Sequence, residues 1–394
     1  MNALVRCSTA SLWGLAVAAW IPLAILGTPA TGALGPDVYL SLPPAIDCVP
    51  GVEASVYFDN VTLVVNPANY AFDVTCEKGM QQAERWTFTP TEKDVGEYPF
   101  ALEVRDQTNA VIATARSTLK VAPGDAGTGR TVSALLIGDS LTHASVYSAR
   151  LLELCAGPGN PKLTLVGSHV PNAETPENRH EGYGGWTAER FATHYTDVAR
   201  TGPAKERGSP FLYEEADGGR RLDFQRYCDD VNGGALPDFV TVFLGCNDTF
   251  SATDDTIEAR IDDMFVHLDA LIAMIREASG DVRIGLMPPV PPAATQDAFG
   301  ANYRCGQTRW QYKRNQHRVV ERLYERYAGR DGDGITLIPA FLSLDCRHNF
   351  PQAEAPWNAH TTLTGLRLIN GVHPAPEGYG QIGDAVYCWL KTQL

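Results

Sequence analysis

Residues 131–142 read TVSALLIGDSLT, and this stretch decides the fold. Thr131 to Gly138 is an apolar run of the kind strands show when both faces are buried. Gly138 allows a tight turn, and Ser140 then stands where a helix begins, close to free backbone N–H groups. Four later runs share this character: KLTLVGS from Lys162, DFVTVFLG from Asp238, DVRIGLMPPV from Asp281 and GITLIPAF from Gly334. Helical spacing fills the gaps over Ser145–Ala156, Ala188–Ala199, Asp254–Ala278, Arg309–Ala328 and Pro376–Leu394. Strands alternating with helices predict an α/β domain over 131–394, a parallel sheet wrapped by helices in three layers. Sites in such sheets form in the crevice at the carboxyl ends of the strands.

Upstream the periodicity changes. From Asp37 to Ala122 the chain has short β-rich runs and no convincing helix: ASVYFDNVTLVV, YAFDVT, RWTFTP, PFALEVRD and VIATARSTLKV. β-Branched and aromatic residues alternate with polar ones between Pro, Gly and Asn clusters, which predicts a small all-β sandwich over 34–122. Asp94-Val95-Gly96-Glu97-Tyr98 resembles the D-x-G-x-Y corner of immunoglobulin-like domains, in which the Tyr hydroxyl bonds back to the backbone. Phe100 stands where antibody domains carry a Cys. No chemical site is visible in this region, so a spacer or docking module is expected. PGDAGTGR, residues 123–130, reads as a linker.

Further upstream, Met1 to Arg6 carries one positive charge, and Ser11 to Gly27 is free of charge. Small residues follow at Thr31 and Ala33, with Ala30 as a second cleavage position. That is the pattern of a secretory signal over 1–33, and Pro22 and the short apolar run argue against a retained anchor. The expected location is secreted or periplasmic. Loss of Arg6 with the signal takes the net charge from −14 to −15. An acidic chain repels phosphate backbones, which excludes general nucleic-acid binding, and no stable membrane insertion is expected after cleavage. An even set of cysteines would remain, which in an exported chain reads as disulfides. The expected pairs are Cys48–Cys76, Cys228–Cys246, Cys305–Cys346 and Cys155–Cys388. No C-x-x-C spacing or His cluster supports a metal, and no cofactor is expected.

The strand ends carry the chemistry. Ser140 follows the first strand, and Gly245-Cys246-Asn247-Asp248 follows the third. Between them, Glu181-Gly182-Tyr183-Gly184-Gly185-Trp186-Thr187 is a glycine loop entering a helix, suited to offering a backbone N–H. Asn370-Gly371-Val372-His373-Pro374 precedes the last helix. Each element alone has an ordinary reading as a helix cap, turn or surface loop. In this order they resemble the four blocks of the SGNH (GDSL-type) hydrolase family over all of 131–394. SPF at Ser209, LDF at Leu222 and PDF at Pro237 add to a likeness with secreted bacterial members.

The resemblance implies a flavodoxin-like fold and a Ser–His esterase. Ser140 would be the nucleophile and its N–H one oxyanion donor, joined by the N–H of Gly185 and the side chain of Asn247. His373 would act as general base and then general acid. A serine hydroxyl needs an imidazole within reach to take its proton, and each fixed donor to the tetrahedral oxyanion is worth about 3 kcal/mol. One departure stands out: the family's usual D-x-x-H places Asp where this chain has Asn370. A Ser–His dyad with Asn370 orienting the ring is the favoured reading, against an acid from elsewhere or a degenerate binder. Asp139 and Asp248 read as structural, and His143 and His180 as rim residues. Tyr183 and Trp186 could stack on a sugar ring or pack the loop. The expected substrate is an ester, favoured as short acyl groups on carbohydrate. The alternatives are a lipolytic or lysophospholipase-type esterase and a non-catalytic carbohydrate binder.

Overall fold

A computed structural model describes residues 38–196 and 206–394. The expected signal sequence and its cleavage region lie outside the described residues.

Five parallel strands form the central sheet: β1 (Thr131–Gly138), β2 (Lys162–Val166), β3 (Phe239–Phe243), β4 (Arg283–Leu286) and β5 (Ile335–Leu337). Their order is β2-β1-β3-β4-β5, and a short strand at Glu181–Gly182 runs beside the end of β1. The chain turns one way from β1 to β2 and the other way to β3. The switch point, where a crevice opens, therefore lies between β1 and β3. Alternate residues of β1 face opposite layers, as strand geometry requires. Ala134 and Leu136 pack with Leu151, Ile382 and Trp389, whereas Leu135 and Ile137 pack with Phe191, Ile261 and Leu271. Helices cover both faces: Val146–Cys155 and Pro376–Thr392 on one, Ile257–Ala278 on the other. This is the expected α/β architecture. Helices at Phe224–Asn232 and Gln296–Tyr303, and a β-hairpin at Gln352–Pro356 and Thr364–Leu368, add to the expected elements.

The N-terminal region is β-rich. A four-stranded sheet runs in the order Ala45–Cys48, Val111–Val121, Gly96–Arg105, Ala71–Thr75, and a three-stranded sheet joins Ala54–Tyr57, Arg85–Phe88 and Met80–Gln81. Tyr98 OH donates to Asp94 O at 3.0 Å, closing the corner read from the D-x-G-x-Y stretch.

This region is no detached spacer. Trp86, Phe100 and Leu119 share one continuous core with Val132, Ile338 and Trp389, and Pro36–Leu394 forms one compact unit. Asn60 Nδ2 donates to Phe341 O and Leu344 O, both at 2.8 Å. The 123–130 stretch is likewise fastened, because Lys391 Nζ donates to Gly124 O at 2.9 Å and Ala126 O at 2.6 Å.

The four expected disulfides are absent: Cys48, Cys76, Cys155, Cys228, Cys246, Cys305, Cys346 and Cys388 are all free thiols. An even count says nothing of geometry. Cys228 fills the core beside Tyr227, whereas Cys246 lies in a separate cluster with Phe299, Tyr312 and Val372. Buried Cys346 meets Asn60 while Cys305 is exposed. The six buried thiols pack as small apolar side chains. Among the described residues, no helix is long and apolar enough to cross a membrane.

Candidate active site

Ser140 opens a one-turn helix directly after β1. Asp139 caps that turn, its Oδ1 accepting from Leu141 N–H at 2.9 Å. A Cβ at Gly138 would run into the Thr142 side chain, so the strand-to-helix turn needs glycine there. The Ser140 N–H, first in its helix, has no intrahelical acceptor.

His373 comes from the loop before the last helix. Its Nε2 lies 2.8 Å from Ser140 Oγ, although Ser140 and His373 are 233 residues apart. Burial holds the imidazole below its ordinary 6.5, which favours the neutral ring that can accept a proton.

Asn370 does not orient that ring directly. Its Oδ1 accepts from the N–H of Val372 at 3.1 Å and of His373 at 2.9 Å. The side chain thus shapes the loop backbone, and His373 Nδ1 has no hydrogen-bond partner among the described residues. The expectation of an Asn370–imidazole bond is corrected accordingly. A one-residue Asx turn satisfies the amide oxygen before the ring can reach it.

Gly185 lies in the exposed loop at φ +78°, and its N–H is free of intramolecular bonds among the described residues. Asn247 follows β3. Its Nδ2 donates to Trp186 O at 3.0 Å and to Asp139 Oδ2 at 3.2 Å, so the amide is held between the Gly loop and the Ser140 turn. Asp248 ties its own turn to the helix that follows the Gly loop, accepting from Gly245 N–H at 3.1 Å and Ala188 N–H at 2.9 Å. Burial raises Asp139 to about 7 and Asp248 to about 6. The tether from Asp139 to Asn247 was not readable in the sequence, where both residues fit their local turns.

Tyr183 and Trp186 are fully buried, which removes them from a sugar-stacking role. Their rings lie 4.6 Å apart and continue into Phe191, 4.8 Å from Trp186. Tyr183 OH and Tyr227 OH both donate to buried Glu181, fixing the Gly loop from below. His143 is exposed as expected, but His180 is buried and not a rim residue. The rings of His143, His169 and His180 pack in sequence, the first pair stacked at 5.0 Å and the second tilted at 4.9 Å. His180 Nδ1 accepts from Gly182 N–H at 3.0 Å, so Nε2 carries the proton and donates to Ser145 Oγ at 2.7 Å. Among the described residues, no group of three or more His, Cys, Asp or Glu is placed to hold a metal ion.

That cluster of rings predicts an acid weakness. Burial, then neighbouring histidines, lowers His180 to about 3, and burial lowers His169 to about 4. Between those values and 6.5 the unfolded chain binds more protons, so the stability contributed by neutral rings is full above 6.5 and lost on acidification. The melting temperature is expected to fall steeply from pH 6 to pH 4, and less steeply in His180→Gln. Parallel falls in the two proteins would refute this.

A serine hydroxyl held 2.8 Å from an imidazole at the switch point of a parallel sheet covered by helices on both faces is the arrangement of a three-layer α/β hydrolase. The chain belongs to the GDSL-like lipase/acylhydrolase family, whose model matches residues 136–381, and it is a carboxylic ester hydrolase. No curated protein matches it by sequence. Among solved structures, it is similar to a family 3 carbohydrate esterase of Clostridium thermocellum, with 16% identity, 66% of this chain and 94% of that one covered, and a TM-score of 0.39. It is also similar to Est24, a carbohydrate acetylesterase from Sinorhizobium meliloti, with 16% identity, 67% and 100% covered, and a TM-score of 0.34. A carbohydrate esterase family 3 protein from Talaromyces cellulolyticus gives 14% identity, 67% and 100% covered, and a TM-score of 0.35.

Proposed function

We propose that this is an exported esterase that removes short acyl groups, acetyl first among them, from carbohydrate by a Ser140–His373 acyl-enzyme mechanism. The observation that carries the reading is the 2.8 Å approach of His373 Nε2 to Ser140 Oγ, beside unpaired N–H groups. His373 takes the Ser140 proton as Oγ attacks the ester carbonyl. The N–H groups of Ser140 and Gly185 and the amide of Asn247 receive the oxyanion, with Asn247 sharing its longer, 3.2 Å bond to Asp139. His373 then protonates the leaving alcohol, and water repeats the sequence on the acyl-enzyme. Without a carboxylate on Nδ1, the imidazolium relies on the loop that Asn370 holds.

Short acyl groups are favoured because the apolar side chains that pack with Val372 of the His373 loop are held in the core. Val372, Phe299, Tyr312 and Cys246 close into a buried cluster. Carbohydrate is favoured by the secretory pattern of residues 1–33 and by the site's exposed glycine loop. The N-terminal sheets and the Tyr98 corner support an immunoglobulin-like module fused to the hydrolase.

The test is turnover of p-nitrophenyl esters from acetyl to palmitoyl, with mass mapping of a fluorophosphonate adduct. Rates should fall with chain length, and the adduct should sit on Ser140. A maximum at long chains would reverse the substrate class, and an unlabelled Ser140 would remove the mechanism.

A further inference from the structure

The hairpin formed by Gln352–Pro356 and Thr364–Leu368 feeds straight into the loop that carries His373. A two-stranded hairpin has little stability of its own, and this one is fastened at its base. Leu368 is buried, Ile369 N–H donates to Pro351 O at 2.9 Å, and Gly371 N–H donates to Asn302 Oδ1 at 2.9 Å. It nevertheless exposes large apolar side chains: Trp357 by 55% and Leu363 by 71% in its outer part, and Ile369 at its base. The pairing Ala355↔Gly365 and Ala353↔Arg367, with Trp357 N–H on Leu363 O, puts Trp357, Leu363 and Ile369 on one face of the hairpin.

The Trp357 ring is set in place without a ligand. A Cβ at Gly365 would overlap it, so the indole lies directly on the glycine. The Arg367 guanidinium sits 5.2 Å from the ring centroid and donates to Trp357 O at 3.2 Å, while pairing with Asp297 at 2.8 Å. An exposed aromatic fixed flat on a sheet, contiguous with a catalytic loop, is a stacking platform whose rotamer entropy is already spent.

We propose that this face is a substrate subsite that stacks a sugar ring of an acylated polysaccharide, several residues along the chain from the ester that is cut. The proposal rests on the carbohydrate reading above and narrows it to polymers. A lipid surface fits less well, since the tip (Asn358 to Thr362, NAHTT) is polar and the net charge of −14 repels anionic bilayers.

The test compares kcat/KM on acetylated xylan with kcat/KM on p-nitrophenyl acetate, with melting temperatures, for wild type, Trp357→Ala, Trp357→Phe and Gly365→Val. Trp357→Ala and Gly365→Val should lower the polymer-to-small-ester ratio about five- to ten-fold, through KM, the worth of one aromatic stacking contact. Trp357→Phe should restore most of it. A wild type that deacetylates xylan with an unchanged ratio in Trp357→Ala overturns the subsite and leaves the esterase reading standing. A wild type that cleaves p-nitrophenyl acetate but not the polymer overturns the subsite together with the carbohydrate reading. Trp357-dependent attachment to phosphatidylcholine vesicles, or a dimer that Trp357→Ala dissolves, also overturns it, in favour of a lipid or a second copy.

Discussion

Ser140→Ala is expected to lower kcat on p-nitrophenyl acetate by about 10⁴- to 10⁶-fold, the scale seen when a serine hydrolase such as subtilisin loses its nucleophile. The expectation follows from geometry: Ser140 Oγ is the hydroxyl that His373 Nε2 meets, at 2.8 Å. Because the two act as a unit, adding His373→Ala should cost little more. The Asn370 variants then separate two roles. Asp at this position still accepts from the N–H groups of Val372 and His373, so Asn370→Asp should change kcat little. Asn370→Ala frees the loop, and a shift of the ring should cost about 10- to 100-fold in kcat. The acid limb of kcat/KM should lie below 6.5, since burial holds His373 down. A carboxylate reaching Nδ1 would raise that limb by about one unit or more. Such a rise in Asn370→Asp, with a large gain in kcat, would show that residue 370 faces the ring and not the backbone.

The sheet was legible because β1, β3 and β4 are dominated by buried apolar residues, the pattern of strands covered on both faces, with the edge strand β2 the least buried. The order of the motifs along the chain pointed to Ser140 and His373 as a pair, and the two side chains do meet. Other side-chain partners were not legible, because they are set by contacts between distant segments. Asn370 stands at the family's acid position, yet no pattern says whether its oxygen meets a ring or a backbone N–H. Tyr183 and Trp186 looked free to meet a sugar, but they fold under the glycine loop against Phe191 and Glu181. The helix at Phe224–Asn232 did leave a signal: Asp223 accepts from Arg226 N–H as N-cap, and Gly233 closes the helix at φ +61°. The union of the β region with the hydrolase left none, since one Asp among β-strands does not name the buried Lys it serves.

That Asp is Asp59, and Asp59→Ala is expected to destabilise the whole unit by about 3–5 kcal/mol, the cost of leaving a buried charge without its partner. Asp59 Oδ1 meets Lys313 Nζ, and the Lys313 side chain is only 2% exposed. Asp59 Oδ2 takes Arg309 Nη2 at 2.8 Å. Burial already pushes the Lys313 ammonium down, and Asp59 is the charge that opposes this. The link continues to the active site. Arg309 Nε donates to Ala293 O at 3.0 Å, and Ala293 N–H donates to Gly371 O at 3.0 Å, two residues before His373. The loss should therefore register twice, in the urea midpoint and in kcat measured well below the melting temperature. Asp59→Asn keeps an acceptor for Arg309 and should lose less kcat than Asp59→Ala. Asp59→Ala with Lys313→Met removes both charges and should recover most of the stability, because an apolar side chain of similar length fills the site without an unpaired ammonium. A urea midpoint for Asp59→Ala indistinguishable from wild type would mean that water reaches Lys313 and that the β region is held by its apolar contacts alone. Unchanged kcat at restored stability in the double variant would mean that Arg309 keeps its hold on Ala293 without Asp59, and that the link to His373 begins in the hydrolase and not in the β-sheets.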